Sequence, residues 1–366
     1  MKKGENIRLR KDKRYEARYY DDQKRKYVSV YGKTYSEAKK KRNEIKYTLT
    51  TPQAVIEPSS THSEPLKDIL SRWLDGERYI IKKSTFAKYY DIVYKHIIPV
   101  LGKLQKNDIT QEAIDDFIKN KLTNGRLDGK GGLSPKTVKD IINVLKSCLD
   151  SENLLFKYKV PTKKTSKIKI LSDSDYYRLL NFLLLAPDCY KVSLLLTLFC
   201  GLRLGELCAL RWQNIDLDKR IIKIKYTLQR IKNTDPTIPT KTVVILDTPK
   251  SEKSMRDIPI INFLYELLLK LKQNDNHYLL SGSKKYVEPR ACQKIFKKYL
   301  KMAGIQDINF HALRHTFATK AIMDGMDAKS VSEILGHSDV RFTMDCYVHP
   351  DLEEKRKQLE KVCAIF

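Results

Sequence analysis

Polar and apolar side chains alternate in two short runs near the start of the chain, Arg14-Tyr15-Glu16-Ala17-Arg18-Tyr19 and Lys26-Tyr27-Val28-Ser29-Val30-Tyr31. A period of two places every second residue on one face of a strand. The intervening Asp21-Asp22-Gln23 is turn-prone, so the two runs predict a β-hairpin. A helix should follow, with Thr34 as its cap and Glu37 in the capping-box position. Residues 51–64, with Pro52, Pro58 and clustered Ser/Thr, predict a linker. From Pro65 the apolar period lengthens: Leu66, Ile69, Leu70, Trp73 and Leu74 recur at three and four, the spacing of a helix face. Further helices are predicted over 84–96, 111–123 and 134–150. Ser134 caps the last of these and Pro135 takes its first helical position, after a glycine-bearing loop at 125–132.

Beyond a basic connector at 156–170 the pattern becomes mixed. Leu171-Ser172-Asp173-Ser174-Asp175 reads as a capped helix start, and 192–200 as an apolar helix. Strands are predicted near 221–226, 243–246 and 256–260, with Ile231–Thr242 lengthening a hairpin, and helices to the end. In residues 351–366, Leu352, Leu359, Val362 or Cys363, and Phe366 recur at helical spacing opposite a charged face. Such a tail can pack on its own domain or dock on a neighbouring protomer. The expected fold class is therefore α+β and multidomain. A small sheet plus helix spans 1–50, an all-helical domain 65–155 and a mainly helical domain with a small sheet 171–350, followed by the tail.

Charge narrows the partner. Seventy Lys and Arg against 44 Asp and Glu leave a formal charge of +26 on 366 residues, a field suited to a polyanion such as DNA. The first fifty residues alone carry seventeen Lys/Arg and seven Asp/Glu, interleaved with tyrosines. No apolar run approaches the roughly 18–20 residues that span a bilayer. The lysine-rich start is not followed by the apolar segment of a secretory signal, so no membrane association is expected. Seven cysteines form no C-x-x-C pair, which argues against a zinc site or a disulfide framework; the chain reads as cytoplasmic and reduced.

Five short motifs follow one another in the third region. Gly201-Leu202-Arg203-Leu204-Gly205-Glu206 sets an arginine in a glycine-flanked turn at a helix start. Pro249-Lys250-Ser251, followed by Arg256-Asp257-Ile258-Pro259, suggests a lysine at a β-hairpin tip. His311-Ala312-Leu313-Arg314-His315 places a histidine and an arginine on one helix face. Leu335-Gly336-His337-Ser338 ends a helix on a histidine, and Tyr347 lies ten residues further on. His311 and His315, four apart, have metal-ligand spacing, but no His-Glu-x-x-His pattern or third ligand accompanies them.

The set Arg203, Lys250, His311, Arg314, His337 and Tyr347 resembles the signature of the tyrosine recombinase (phage integrase) family. The three-part layout is most similar to integrases of conjugative transposons and Gram-positive temperate phages. The resemblance implies a site-specific recombinase that cuts and rejoins DNA through a 3′-phosphotyrosine on Tyr347. Arg203 and Arg314 would clamp the phosphate, as forked, permanently charged guanidiniums suit. His311 is the implied base, and Lys250 the acid for the departing 5′-oxygen. His337 would donate to a non-bridging oxygen, and Glu206 would support the arginines. Lys253 or Lys241 could stand in for Lys250 in so lysine-rich a segment.

The resemblance further implies arm-type DNA binding by 1–50, core-type DNA binding by 65–155 and a homotetramer on DNA. An accessory DNA-bending or directionality protein could join that assembly. Because a phosphotyrosine ester conserves bond energy, no nucleotide cofactor is expected, and no Gly-x-x-x-x-Gly-Lys-[Ser/Thr] occurs. Nor is a metal expected. Two rivals share parts of this picture: a type IB topoisomerase, with similar chemistry but no separate arm-binding domain, and a non-catalytic DNA-binding regulator, which should have lost a catalytic residue.

Overall fold

The computed structural model describes residues 7–10, 12, 14–21, 26–50, 64–161, 169–249, 252–347, 352, 355–356 and 359–360. The chain forms two compact units, residues 1–63 and 64–366.

In the first unit, β1 (Ile7–Leu9), β2 (Tyr15–Asp21) and β3 (Lys26–Gly32) form an antiparallel sheet in the order β1-β2-β3. The expected hairpin is β2–β3, with Ala17 opposite Val30; β1 is a third strand that alternation does not reveal over three residues. Helix α1 (Tyr35–Thr50) packs on the sheet, burying Ala17, Tyr19 and Ala38. Thr34 Oγ1 accepts from the Glu37 backbone N–H at 3.2 Å, and Glu37 reaches back to Lys33 N at 2.8 Å, one residue before the expected partner.

The second unit contains two apolar cores. One gathers Leu66, Phe86, Leu101, Phe117, Ile141 and Leu145 from α2 (Leu66–Glu77), α3 (Lys83–Ile92), α4 (Ile98–Leu101), α5 (Gln111–Asn124) and α6 (Pro135–Ser151). The single helix expected over 84–96 is interrupted by a π-helical turn, Val93–Ile97, before Pro99. Ser134 caps α6 by accepting from Thr137 N, and Pro135 opens it.

The other core runs through α7 (Asp173–Leu184), α8 (Cys189–Cys200) and α9 (Leu204–Ala209), with Ser172 capping α7. Strands β4 (Ile215–Asp216), β5 (Ile221–Ile224) and β8 (Arg256–Pro259) form one antiparallel sheet. Strands β6 (Thr227–Lys232) and β7 (Thr242–Asp247) form a separate two-stranded hairpin. The turn of that hairpin lies at 233–241, and β7 and β8 belong to different sheets. Lys250, expected at a hairpin tip, lies outside the described residues. Helices α10 (Asn262–Leu271), α11 (Pro289–Met302), α12 (His311–Met323), α13 (Ala328–Leu335) and α14 (Val340–Tyr347) complete the unit. Among the described residues no helix is long and apolar enough to cross a membrane.

Contacts between the two core regions fall near the strand sheets. Lys82 Nζ, just before α3, donates to Thr248 O and Thr248 Oγ1, both at 3.0 Å, and to Pro249 O at 2.8 Å. Lys232 on β6 pairs with Asp91 on α3 at 2.8 Å.

Candidate active site

Two helix ends build the floor of the site. Helices α8 and α13 each stop on a left-handed glycine, Gly201 at φ 63° and Gly336 at φ 65°. A helix end leaves carbonyls without intrahelical partners and carries partial negative charge. Here guanidiniums take those carbonyls. Arg314 on α12, 1% exposed, donates to Gly201 O and Leu335 O, both at 2.7 Å, and so ties the two ends together. Arg203 Nη2 donates to Gly336 O at 3.1 Å, and Arg256 Nε to Ile334 O. Both glycines are sterically required. A Cβ on Gly201 would lie 2.6 Å from Leu335 Cδ2, and one on Gly336 3.0 Å from Arg256 Cδ.

A carboxylate fixes the remaining geometry. Glu206, in the first turn of α9 and 2% exposed, receives Arg203 Nη1 at 2.8 Å and the Arg203 backbone N–H at 3.0 Å. It also receives Arg256 Nη1 at 3.1 Å and Nη2 at 2.9 Å. Burial works to raise its pKa, but the Arg256 and Arg203 charges prevail and hold it below the usual carboxylate value. Two guanidiniums thus pair with one carboxylate, and Arg314 adds a third positive charge nearby. The excess positive charge is what an anionic oxygen cluster needs.

Tyr347, the last residue of α14, is 6% exposed, and its Oη lies 2.6 Å from His315 Nδ1. Burial pushes its phenol up to about 12, against the downward pull of Arg314 and Arg203. The His315 ring stands edge-on to His311, with centroids 4.7 Å apart. His337, directly after the α13 cap, is held through Nδ1 by the buried Thr343 hydroxyl at 2.8 Å. Desolvation, helped by neighbouring cationic groups, lowers His311 to about 4 and His337 to about 3, so both rings are neutral at pH 7 in the free protein.

The structure therefore brings together Arg203, Glu206, His311, Arg314, His337 and Tyr347. Lys250 lies outside the described residues, as does most of the tail at 351–366. Of the two substitutes, Lys253 donates to Ser338 O at 3.0 Å, beside His337. Lys241 lies before β7, at the opposite end of that strand from Thr248.

Two further residues belong to the site. Arg256 looks in the sequence like an ordinary charged residue opening a strand. The place of His315 one turn after His311 is the available signal for it. Among the described residues no group of three or more His, Cys, Asp and Glu is arranged to hold a metal ion.

Comparison with known proteins identifies the family. Residues 169–354 match the phage integrase family and residues 66–122 a phage integrase N-terminal SAM-like domain. The chain belongs to the phage integrase family. A tyrosine recombinase XerC-like protein of Caldanaerobacter subterraneus subsp. tengcongensis is 28% identical over 368 residues, covering 92% of this chain and 91% of that protein. Among solved structures, the Tn1549 transposon integrase in complex with transposon right end DNA aligns at TM-score 0.64 and 19% identity, covering 82% of this chain and 99% of that one. A lambda integrase tetramer bound to a Holliday junction aligns at TM-score 0.52 and 18% identity, covering 93% and 97%. The chain is thus a tyrosine site-specific recombinase related to mobile-element integrases.

Proposed function

We propose that the arginine-lined site holds a DNA phosphodiester and that Tyr347 attacks it, leaving a 3′-phosphotyrosine and a free 5′-hydroxyl. The observation that carries this reading is the buried phenol of Tyr347 beside guanidiniums anchored to helix-end carbonyls. Arg203 and Arg314 contact the non-bridging oxygens, where negative charge grows as the fifth bond to phosphorus forms. His337, its Nδ1 occupied by Thr343, donates through Nε2 to the same oxygens. Lys250 protonates the departing 5′-oxygen, and the Lys82 bonds to Thr248 and Pro249 anchor the segment leading to it. Glu206 holds Arg203 and Arg256 in register.

The domains divide the DNA between them. Residues 65–155 and 171–350 take the core-type site, and the sheet of residues 1–50 takes a separate arm-type sequence. Four protomers assemble on DNA in the cytoplasm, where an accessory DNA-bending or directionality protein can join them. The lambda integrase tetramer on its junction and the Tn1549 integrase on its transposon end are the relatives that support this assembly.

The test uses the full-length chain and a pool of nicked duplexes with randomised core sequences. Attack next to the nick releases a short fragment, so the covalent adduct accumulates and its DNA can be sequenced. Adducts should converge on one core sequence. Tyr347→Phe should abolish them while leaving DNA binding intact. Adducts formed by the Phe variant would place the nucleophile elsewhere and overturn the reading.

A further inference from the structure

We propose that His315 accepts the proton of the attacking Tyr347 phenol, making it a catalytic residue of the strand-transfer reaction. The inference rests on the reading of Tyr347 as nucleophile and goes beyond it. The family resemblance gives the base role to His311.

The geometry favours His315. Its Nδ1 is 2.6 Å from Tyr347 Oη, within the range of a short O–H···N hydrogen bond, and the two side chains come from different helices, α12 and α14. Among the described residues no hydrogen bond joins His311 to Tyr347. His311 opens α12, and its ring packs edge-on against His315 rather than bonding to the phenol. With the ring proton on Nε2, the His315 Nδ1 lone pair meets the phenol hydrogen. The surroundings also hold His315 neutral, as a base must be. Burial, followed by Arg314, lowers its pKa. The other titratable groups near it are His311 on α12, Tyr347 on α14 and His337 after α13. Residues 192–200 of α8, which packs on α12, carry no charge at neutral pH, and the Lys320–Asp173 pair between α12 and α7 lies more than one turn beyond His315.

The step balances. The Oη–P bond forms and the P–O5′ bond breaks. The phenol proton passes to His315 Nδ1, and the 5′-oxygen takes a proton from the acid proposed above, Lys250. In rejoining, the 5′-hydroxyl attacks phosphorus while giving its proton back to the Lys250 amine, and the imidazolium returns its proton to the departing Tyr347 oxygen. A phenol raised to about 12 is almost entirely protonated at pH 7, so an acceptor in contact with it has a large effect on rate.

The experiment uses single-turnover cleavage of the nicked duplex selected by adduct sequencing. His315→Ala and His315→Gln should each slow adduct formation by about 10²–10⁴-fold, with DNA affinity unchanged. The Gln variant retains a hydrogen-bond acceptor but no useful base, and it tests the idea even if the Ala variant fails to fold. The log rate of the Gln variant should climb with pH as the phenol ionises, whereas the parent rate should be level above neutrality. Replacing Tyr347 by a fluorinated tyrosine, whose phenol is more acidic, should restore most of the lost rate in His315→Gln.

Parental rate and pH profile in His315→Gln would overturn the proposal. So would rescue by fluorotyrosine in His311→Ala but not in His315→Gln. Neither outcome touches the nucleophile assignment, which stands or falls on Tyr347→Phe.

Discussion

The two units use the same ionic device to different ends. In the first, Glu16 of β2 has a side chain only 2% exposed and is ringed by Arg8 at 2.9 Å, Arg18 at 3.1 Å and Arg10 at 3.6 Å, with the Ser29 hydroxyl donating at 2.7 Å. Those bonds, Ser29 first, pull its pKa down to about 2. In the second unit Glu206 plays the same part for Arg203 and Arg256. The difference lies in what the arginines do next. Around Glu16 their side chains are 63%, 48% and 42% exposed, and Arg10 also leans on the Tyr31 ring. Around Glu206, Arg256 is 6% exposed and bonded to a helix end. A buried carboxylate under exposed guanidiniums aims them at a partner on the surface. Around Glu206 one guanidinium, that of Arg256, is buried and the other, that of Arg203, is one-third exposed, which suits a rigid anion pocket open on one side. Burial of an arginine, rather than the number of arginines, distinguishes the two arrangements.

The contrast can be broken most severely at Glu206. Glu206→Ala leaves the buried Arg256 unpaired, and the loss of one partner of such a pair costs about 3–5 kcal/mol. A fall in melting temperature should accompany a drop in adduct formation of at least about 10²-fold, the scale of one lost preorganised donor. Equal melting temperatures for parent and variant would show that the pocket arginines are held by the helix ends alone.

Glu16→Gln should act more gently and on a different observable. It removes a negative charge, so non-specific DNA affinity should hold or rise. The ratio of specific to non-specific arm binding should fall by roughly tenfold, about the value of one bidentate base contact. Core-site cleavage should not change, and a gel-shift series with matched and scrambled arm sequences reads this directly. Deleting residues 1–50 should in turn reduce the salt sensitivity of binding by about 0.9 in log–log slope for each phosphate contact removed.

The smallest effect is on stability with pH. His311 and His337 have depressed pKa values in the folded state, so the unfolded chain takes up protons that the folded chain refuses. Their contribution is fully present above the ordinary histidine value of 6.5 and is lost as pH falls toward about 4 and then 3. Denaturation of the free protein at pH 7 and pH 5 should therefore show lower stability at pH 5. His337→Asn should reduce that difference, whereas bound DNA phosphate should oppose the loss by favouring the charged rings.

Much of this was legible in the sequence because local signals agreed. Ser134 and Pro135 announce α6, Ser172 announces α7, and the 15–31 alternation announces β2 and β3. The order of Arg203, His311, Arg314, His337 and Tyr347 pointed to the proposed chemistry because a motif records residue type and spacing. Contacts made across long sequence separations were not legible. The Arg256 bonds to Glu206 span fifty residues, and those of Lys82 to Thr248 and Pro249 more than 160. Neither has a periodic or compositional trace. The break of the 84–96 helix at a π turn was missed for a different reason: apolar spacing is nearly the same for the two helical forms over one turn.

The arrangement of Arg314 has a practical consequence for anyone wanting an inert copy of this enzyme. Its guanidinium joins the last carbonyls of α8 and α13, so it is a fastener of the scaffold as well as the proposed grip on phosphate. Removing it to silence the chemistry would loosen two helix ends and the histidine that follows one of them. The resulting protein would then report on damage rather than on catalysis. The phenolic oxygen of Tyr347 can be removed without disturbing either helix terminus. A stalled complex suited to imaging or to mapping genomic sites is better made there, where reactivity and architecture come apart.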